Sequence, residues 1–254
     1  MQLGICADVK DIKHIAEMDF DYIELYLTQI AALSDEEFDT VRLMLTDVSL
    51  RCASCCIMFP REFNIHTQAF AELLEYAAAA FARAALLGAK YIVFGSGAVR
   101  SYGEGTGTAE AYQRLRDFVT LLGDEAAKHN IIITVEPLNK GESNMINSIT
   151  DGLAFVESVN HPHVALLADF YHMRMENEAV SALLSAGKHL RHAHIANGNG
   201  RGFPLHAQED DYAAFISTLR QIGYNGGISI EGYTNNLTQD APNSLAFLRE
   251  SMFP

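Results

Sequence analysis

Ile131-Ile132-Ile133-Thr134-Val135-Glu136-Pro137-Leu138-Asn139 is a short run of β-branched residues that stops on a carboxylate. The pattern recurs three more times before the chain ends. Leu167-Ala168-Asp169-Phe170-Tyr171-His172 closes a second apolar run on a carboxylate. His192-Ala193-His194-Ile195 carries two imidazoles, and Ser229-Ile230-Glu231-Gly232-Tyr233 returns to a carboxylate. Short, near-continuous apolar runs of this kind are strands covered on both faces, as in parallel sheets.

Working outward, the same reading gives eight strands: Gln2–Cys6, Tyr22–Leu25, Arg51–Ile57, Tyr91–Phe94, Ile131–Val135, Val164–Ala168, His192–Ile195 and Ile228–Glu231. Helical patterns lie between them. Ser34 to Thr46 opens with the capping box Ser34-x-x-Glu37 and puts Phe38, Val41 and Leu45 on one face. His66 to Leu87 is Ala- and Leu-rich and stops at Gly88. Thr108–His129, Asp151–Val159, Glu178–Ala186, Asp211–Ile222 and Asn243–Met252 complete the set. Strict alternation of strand and helix predicts a parallel α/β fold. Eight strands in 254 residues predict a single (β/α)₈ TIM barrel domain over residues 1–254. No Gly-x-Gly-x-x-Gly follows the first strand, which argues against a dinucleotide-binding open sheet.

Composition narrows the partners. Eighteen Lys and Arg against 32 Asp and Glu give a net charge of −14, which repels phosphate backbones, so nucleic acid is not an expected partner. No apolar stretch reaches spanning length, and Met1 to Ala7 lack a basic start, so neither a membrane partner nor a secretory leader is expected. Cys6, Cys52, Cys55 and Cys56 read as buried strand thiols, because no second ligand pair follows Cys52-x-x-Cys55-Cys56 at zinc-finger spacing. Free clustered thiols predict a reducing, cytoplasmic setting.

In a (β/α)₈ barrel the strand ends share one rim. Four successive strands therefore deliver Glu136, Asp169, His194 and Glu231 to one place. Each residue alone has a plain structural reading: a solvated loop glutamate, a helix-capping aspartate, a core histidine among His192 and His194. Together they form a buried charge cluster that a single divalent cation would neutralise. Three oxygens and one nitrogen suit Mn²⁺ best, with Co²⁺, Mg²⁺, Fe²⁺ or Zn²⁺ as alternatives.

These motifs resemble the sugar-phosphate isomerase/epimerase superfamily of xylose-isomerase-like TIM barrels. The likeness is to its D-tagatose 3-epimerase and inositol-catabolism isomerase group. It runs from Gln2-Leu3-Gly4-Ile5-Cys6 and Asp21-Tyr22-Ile23-Glu24-Leu25 to Ile230-Glu231-Gly232. The resemblance implies that Glu136, Asp169, His194 and Glu231 are metal ligands, and that Glu136 and Glu231 also serve as catalytic acid and base. It implies substrate contacts for His172 and Glu142. It also implies one for Arg201, which falls one residue later than the family's arginine. The implied reaction is metal-dependent epimerisation or isomerisation of a ketose or related polyol, in a homo-oligomer of two or four chains. Dehydration of a keto-polyol is the alternative within the family. Endonuclease IV-like phosphodiester hydrolysis needs additional histidines on strands two to four, where Glu24, Cys56 and Phe94-Gly95-Ser96-Gly97 stand instead. A non-catalytic sugar-binding barrel is a further alternative, against which both acid/base candidates speak.

The remaining polar rim residues are read more broadly. Glu24 and His206 are candidate substrate contacts, each with a structural alternative. Phe59, Phe203 and Tyr233 are candidate apolar walls. Arg61, Arg100 and Arg201 lie in rim loops, but none belongs to a phosphate-binding motif, which favours an unphosphorylated substrate.

Overall fold

Successive side chains of a strand point to opposite faces, and here that alternation divides two cores. The computed structural model describes residues 1–252; Phe253 and Pro254, the end of the expected domain, lie outside the described residues. Its strands are β1 (Gln2–Ala7), β2 (Tyr22–Tyr26), β3 (Cys52–Cys56), β4 (Tyr91–Phe94), β5 (Ile132–Val135), β6 (Val164–Asp169), β7 (Leu190–Ile195) and β8 (Gly227–Ile230). All pair in parallel and in order, and β8 closes on β1 through Gly4↔Ser229 and Ile5↔Ile230. The expected (β/α)₈ barrel is present.

Ile5, Ile23, Leu25, Ile92, Ile133, Leu166, Ala193, Ile195 and Ile228 face outward and join the helices in one continuous apolar core. Each buried Ile or Leu of this set stabilises the fold by roughly 1.5–3 kcal/mol. The inward set is different. Cys56, Val93 and Leu167, with Cys6 and Tyr26 beside them, form a small apolar cluster of their own. Around it stand Tyr22, Glu24, Thr134, His192, His194 and Ser229, all buried. The barrel interior is thus polar at the centre, and the helices hold it together from outside.

Helix boundaries follow local chemistry. Asp35–Asp47 starts with the predicted capping box: Ser34 Oγ accepts from Glu37 N, and Glu37 accepts from Ser34 N. The Ala-rich helix begins at Phe70, later than His66, because Asn64, His66 and Gln68 are held in a turn by side-chain bonds to their own backbone. Glu178–Ala186 is not one helix. Glu178 instead accepts from the Ile149 N–H at the start of Ile149–Val159 at 2.9 Å, and short turns at Val180–Ala182 and Leu183–Ala186 follow. The last helix runs Leu237–Met252 and carries Pro242 inside, six residues ahead of the expected start at Asn243. Short helices at Ile12–Ala16, Leu27–Ala32, Gly97–Arg100 and Phe170–Met175 are too brief to show a period. Among the described residues, no helix is long and apolar enough to cross a membrane.

Two glycines make room for the Tyr22 ring at the base of the interior. A Cβ on Gly4 would lie 2.2 Å from a Tyr22 ring carbon, and one on Gly227 would lie 2.4 Å from its hydroxyl. The ring is also pinned by Tyr22 Oη···Ser229 Oγ at 2.9 Å. Gly4→Ala is therefore expected to cost about 1–3 kcal/mol in urea unfolding. Gly103→Ala, where nothing lies within 4 Å, is expected to stay within about 0.5 kcal/mol of the parent. Equal midpoints for Gly4→Ala and the parent would refute this packing.

Candidate active site

The four strand-end residues meet. One ligating atom each from Glu136, Asp169, His194 and Glu231 lies within 4.8 Å of the others. His194 Nδ1 stands 3.3 Å from Glu136 Oε1 and 3.1 Å from Glu231 Oε2. Asp169 ends β6 and also caps the next helix, accepting from Tyr171 N at 2.9 Å, so its structural role and its place in the cluster coexist.

Electrostatics show what the cluster lacks. Burial pushes the Asp169 carboxyl up to about 7; Arg201 pulls it down, while Glu136 and Glu231 push it further. Burial and the Glu231 charge likewise raise Glu136. Burial also opposes ionisation of Glu231, but His194 and Arg201 outweigh it and hold that carboxyl at about 2. The difference is one of distance: the Arg201 Nη2 donates to Glu231 Oε2 at 2.5 Å and to Asp169 Oδ2 at 3.3 Å. Three converging carboxylates and one imidazole nitrogen, short of positive charge, are a donor set for a hard or borderline divalent cation. Gly95 completes the cradle, since a Cβ there would lie 2.3 Å from Glu136 Oε2. The residues present fit such an ion.

Glu24 lies beneath this cluster and is not among the residues lining the cavity; of its two readings, the geometry shows the pairing with neighbours. Its carboxylate is fully buried and accepts from His192 Nε2 at 2.6 Å, His194 Nε2 at 3.1 Å and Ser229 Oγ at 2.6 Å. Burial opposes its charge, but His192 and His194 outweigh that and hold it well below the usual carboxylate range. With Nε2 directed at Glu24, His194 turns Nδ1 toward the three carboxylates. His192 is the core histidine of the pair, stacked on Tyr91 at 5.8 Å between ring centroids.

His172 sits at the cavity wall. Its Nδ1 accepts from the Asn139 backbone N–H at 3.2 Å, so the ring proton is on Nε2. That Nε2 is buried and has no hydrogen-bond partner in the structure. Burial and the nearby Arg201 push the ring's pKa down to about 3, so it is neutral. Nε2 lies 3.5 Å from Asp169 Oδ2 and 4.0 Å from Glu136 Oε1, beside the cluster, and an unpaired neutral N–H there is a donor for a ligand oxygen. Asn139 Nδ2 also bridges to Glu142 Oε1 at 3.0 Å. Asn139 belongs to the quoted Glu136–Asn139 motif, yet only its distance to His172 reveals the role.

Arg201 reaches the site despite its one-residue offset. Its φ of +56° redirects the loop, and Tyr233 N donates to Arg201 O at 2.8 Å. The guanidinium then spans Glu231, Asp169 and, at 3.5 Å, Glu142, and lies over the Tyr171 ring. The structure also places the remaining candidates. His206 is exposed in the loop after β7 and does not line the cavity. Arg100 is fully buried behind the wall, where it donates to Phe94 O at 3.2 Å, so it is not a rim phosphate contact. Phe203 is buried outside the lining, whereas Phe59 and Tyr233 do form part of it.

The cavity above the cluster measures about 520 Å³, a size for a small molecule. Ile57, Phe59, Leu138 and Tyr233 supply apolar wall; Glu136, Glu142, His172, Arg201 and Glu231 supply polar groups. A depression of about 590 Å³ outside the barrel, lined by Arg42, Leu43, Leu86 and Leu87, has no such convergence of ligating side chains.

Fold and site together define a closed (β/α)₈ barrel with a candidate metal site at the C-terminal rim of its strands. The chain belongs to the xylose isomerase-like TIM barrel family, whose sequence model matches residues 12–251. It is 38% identical over 117 residues to L-ribulose 3-epimerase of Methylomonas sp. (strain DH-1), covering 46% of this chain and 40% of that protein. It is 32% identical over 136 residues to 3-dehydro-D-guloside 4-epimerase of Escherichia coli (strain K12), covering 52% and 51%. The match to D-psicose 3-epimerase of Agrobacterium fabrum is longer but weaker, 26% identical over 94% of this chain and 91% of that one. The matches to the first two span about half or less of those relatives' lengths. Among solved structures, a D-psicose 3-epimerase determined in the presence of D-fructose superposes with a TM-score of 0.88 at 23% identity over the whole of both chains, which shows the same fold.

The Glu24 contacts yield a test. Removing the charge that orients His194 is expected to weaken divalent-metal binding about 10–100-fold. Titration calorimetry of Glu24→Gln with Mn²⁺, with circular dichroism confirming the fold, measures this. Unchanged affinity in a folded variant would show that Glu24 does not position the imidazole.

Proposed function

We propose that this chain is a divalent-metal-dependent epimerase of a ketose or closely related keto-sugar, with residues 1–254 acting as one barrel domain. The observation that carries the reading is the pairing of Glu136 and Glu231 in one buried cluster below a cavity of sugar size. The relatives named above support it, since each is an epimerase of a ketose or of a dehydro-sugar.

Glu136, Asp169, His194 and Glu231 would hold the ion, Mn²⁺ by preference. When bound, it acts as a Lewis acid on neighbouring carbonyl and hydroxyl oxygens and so acidifies the C–H between them. The remaining chemistry belongs to side chains. One of Glu136 and Glu231 removes that proton and the other returns one from the opposite face, which inverts the carbon. Arg201 holds Glu231 ionised and in place for its part. His172 donates its Nε2–H to a substrate oxygen, while Asn139 keeps that tautomer. Glu142 and Arg201 bracket the polar side of the sugar, and Phe59 and Tyr233 cover its carbon face.

An unphosphorylated substrate suits the charge pattern. Arg201 is taken up by three carboxylates and Arg100 is buried, which leaves Arg61 as the lining cation at the mouth. A homo-oligomer in a reducing cytoplasm, in keeping with the four free cysteines, completes the reading.

Mn²⁺-loaded protein incubated in D₂O with L-ribulose, D-psicose, D-tagatose or D-fructose should form the 3-epimer with deuterium at C3. Glu136→Gln and Glu231→Gln should each lower turnover by about 10²–10⁴-fold. Epimer formed without solvent deuterium, or either variant at parental turnover, would refute the two-carboxylate route. Deuterium at a neighbouring carbon, or loss of water from the sugar, would reassign the outcome to isomerisation or dehydration.

A further inference from the structure

Cys6 and Cys56 are not bystanders in the apolar core. Cys6 lies on β1 and Cys56 on β3, two strands apart around the barrel, and both point inward. Their sulfurs and a Glu231 carboxylate oxygen lie within 4.8 Å of one another. Cys6 Sγ also lies within 4.8 Å of ligating atoms of Glu24 and His194. Cys56, though buried, is among the residues lining the cavity, so it lies next to the space an ion would enter. Both cysteines are free.

We propose that Cys6, Cys56 and Glu231 form a second, soft-metal site that takes Zn²⁺ or Cd²⁺ and draws Glu231 away from the four-residue cluster. Ligand chemistry separates the two sites. Thiolates select zinc and its softer congeners, whereas manganese and magnesium prefer oxygen. Two thiolates and one carboxylate are three of the four ligands of a tetrahedral zinc centre, and the cavity side supplies the open fourth position. On binding, each thiol releases its proton to solvent and two metal–sulfur bonds form. At a Zn–S distance of about 2.3 Å, tetrahedral geometry sets two sulfurs about 3.8 Å apart, so the cluster needs to contract by no more than about 1 Å. Because Glu231 belongs to both groups, the soft ion and the oxygen-bound ion compete. The shared residue makes Zn²⁺ and Cd²⁺ inhibitors of a Mn²⁺-loaded enzyme, a consequence that rests on the proposed function; occupancy of the thiol site does not.

The test is titration of Mn²⁺-loaded protein with Cd²⁺, followed by the ultraviolet charge-transfer band of cadmium thiolate. About one Cd²⁺ per chain should bind with the intensity of two thiolates, and Mn²⁺ should be released in step, read by its paramagnetic resonance signal. Cys6→Ser and Cys56→Ser should each weaken Cd²⁺ binding roughly 100-fold. Cys52→Ser should leave it intact, although Cys52 Sγ lies 3.9 Å from Cys55 Sγ in the outer core. Glu136→Gln should keep the band, which separates this site from the fate of the proposed reaction. A band abolished by Cys52→Ser, or one that survives both Cys6→Ser and Cys56→Ser, would overturn the assignment. X-ray absorption of the unmutated protein loaded with Zn²⁺ checks the same point without variants. Two sulfur neighbours at about 2.3 Å are expected, and oxygen and nitrogen neighbours alone would overturn it.

Discussion

Carboxylates crowded inside a barrel repel one another and resist desolvation, and the interior of this protein is arranged around that repulsion. Glu136 and Asp169 are buried, with Glu231 partly so, at the ends of strands that close on each other, and Glu24 is buried one layer below them. The protein's own hydrogen-bond donors settle only part of the account. The His192 and His194 rings answer Glu24 from one side, and Arg201 answers Glu231 from the other. Asp169 is left with its ionisation opposed up to about pH 7. A divalent ion would relieve this repulsion, since the donor atoms already lie within 4.8 Å of one another.

The lower layer of the barrel serves the upper one. Gly4 and Gly227 admit the Tyr22 ring, Tyr22 holds Ser229, Ser229 donates to Glu24, and Glu24 fixes His194. A chain of contacts thus runs from two glycines at the base to one imidazole nitrogen at the rim. Function at such a centre depends on packing well outside the cavity, since an imidazole displaced by a fraction of an ångström holds its nitrogen away from the productive position.

The sequence made the architecture plain because strand and helix alternate with little interruption, and all eight strands fall within a few residues of their expected bounds. The four-residue cluster was legible for the same reason: in a barrel, strand ends are neighbours whatever their separation along the chain. What escaped was whatever depended on side-chain direction. Glu24 reads equally as a rim residue or as a paired one, and only the structure shows it pointing inward one layer below the rim, against His192. Arg201 reads as misplaced until the left-handed turn at its own backbone restores its reach. Arg100 lies in a Gly-rich loop of the kind that binds phosphate, but a short helical turn folds it under the wall. Cys6 and Cys56 lie 50 positions apart, and no spacing rule joins residues that meet only across the barrel.

One divalent ion per buried cluster is the expectation that equilibrium dialysis of chelator-treated protein against Mn²⁺, with the metal counted per chain, measures directly. The parent should hold one ion tightly per chain and should lose it on Asp169→Asn or His194→Ala, with both variants folded. No binding by the parent, or an ion retained after either substitution, would contradict it.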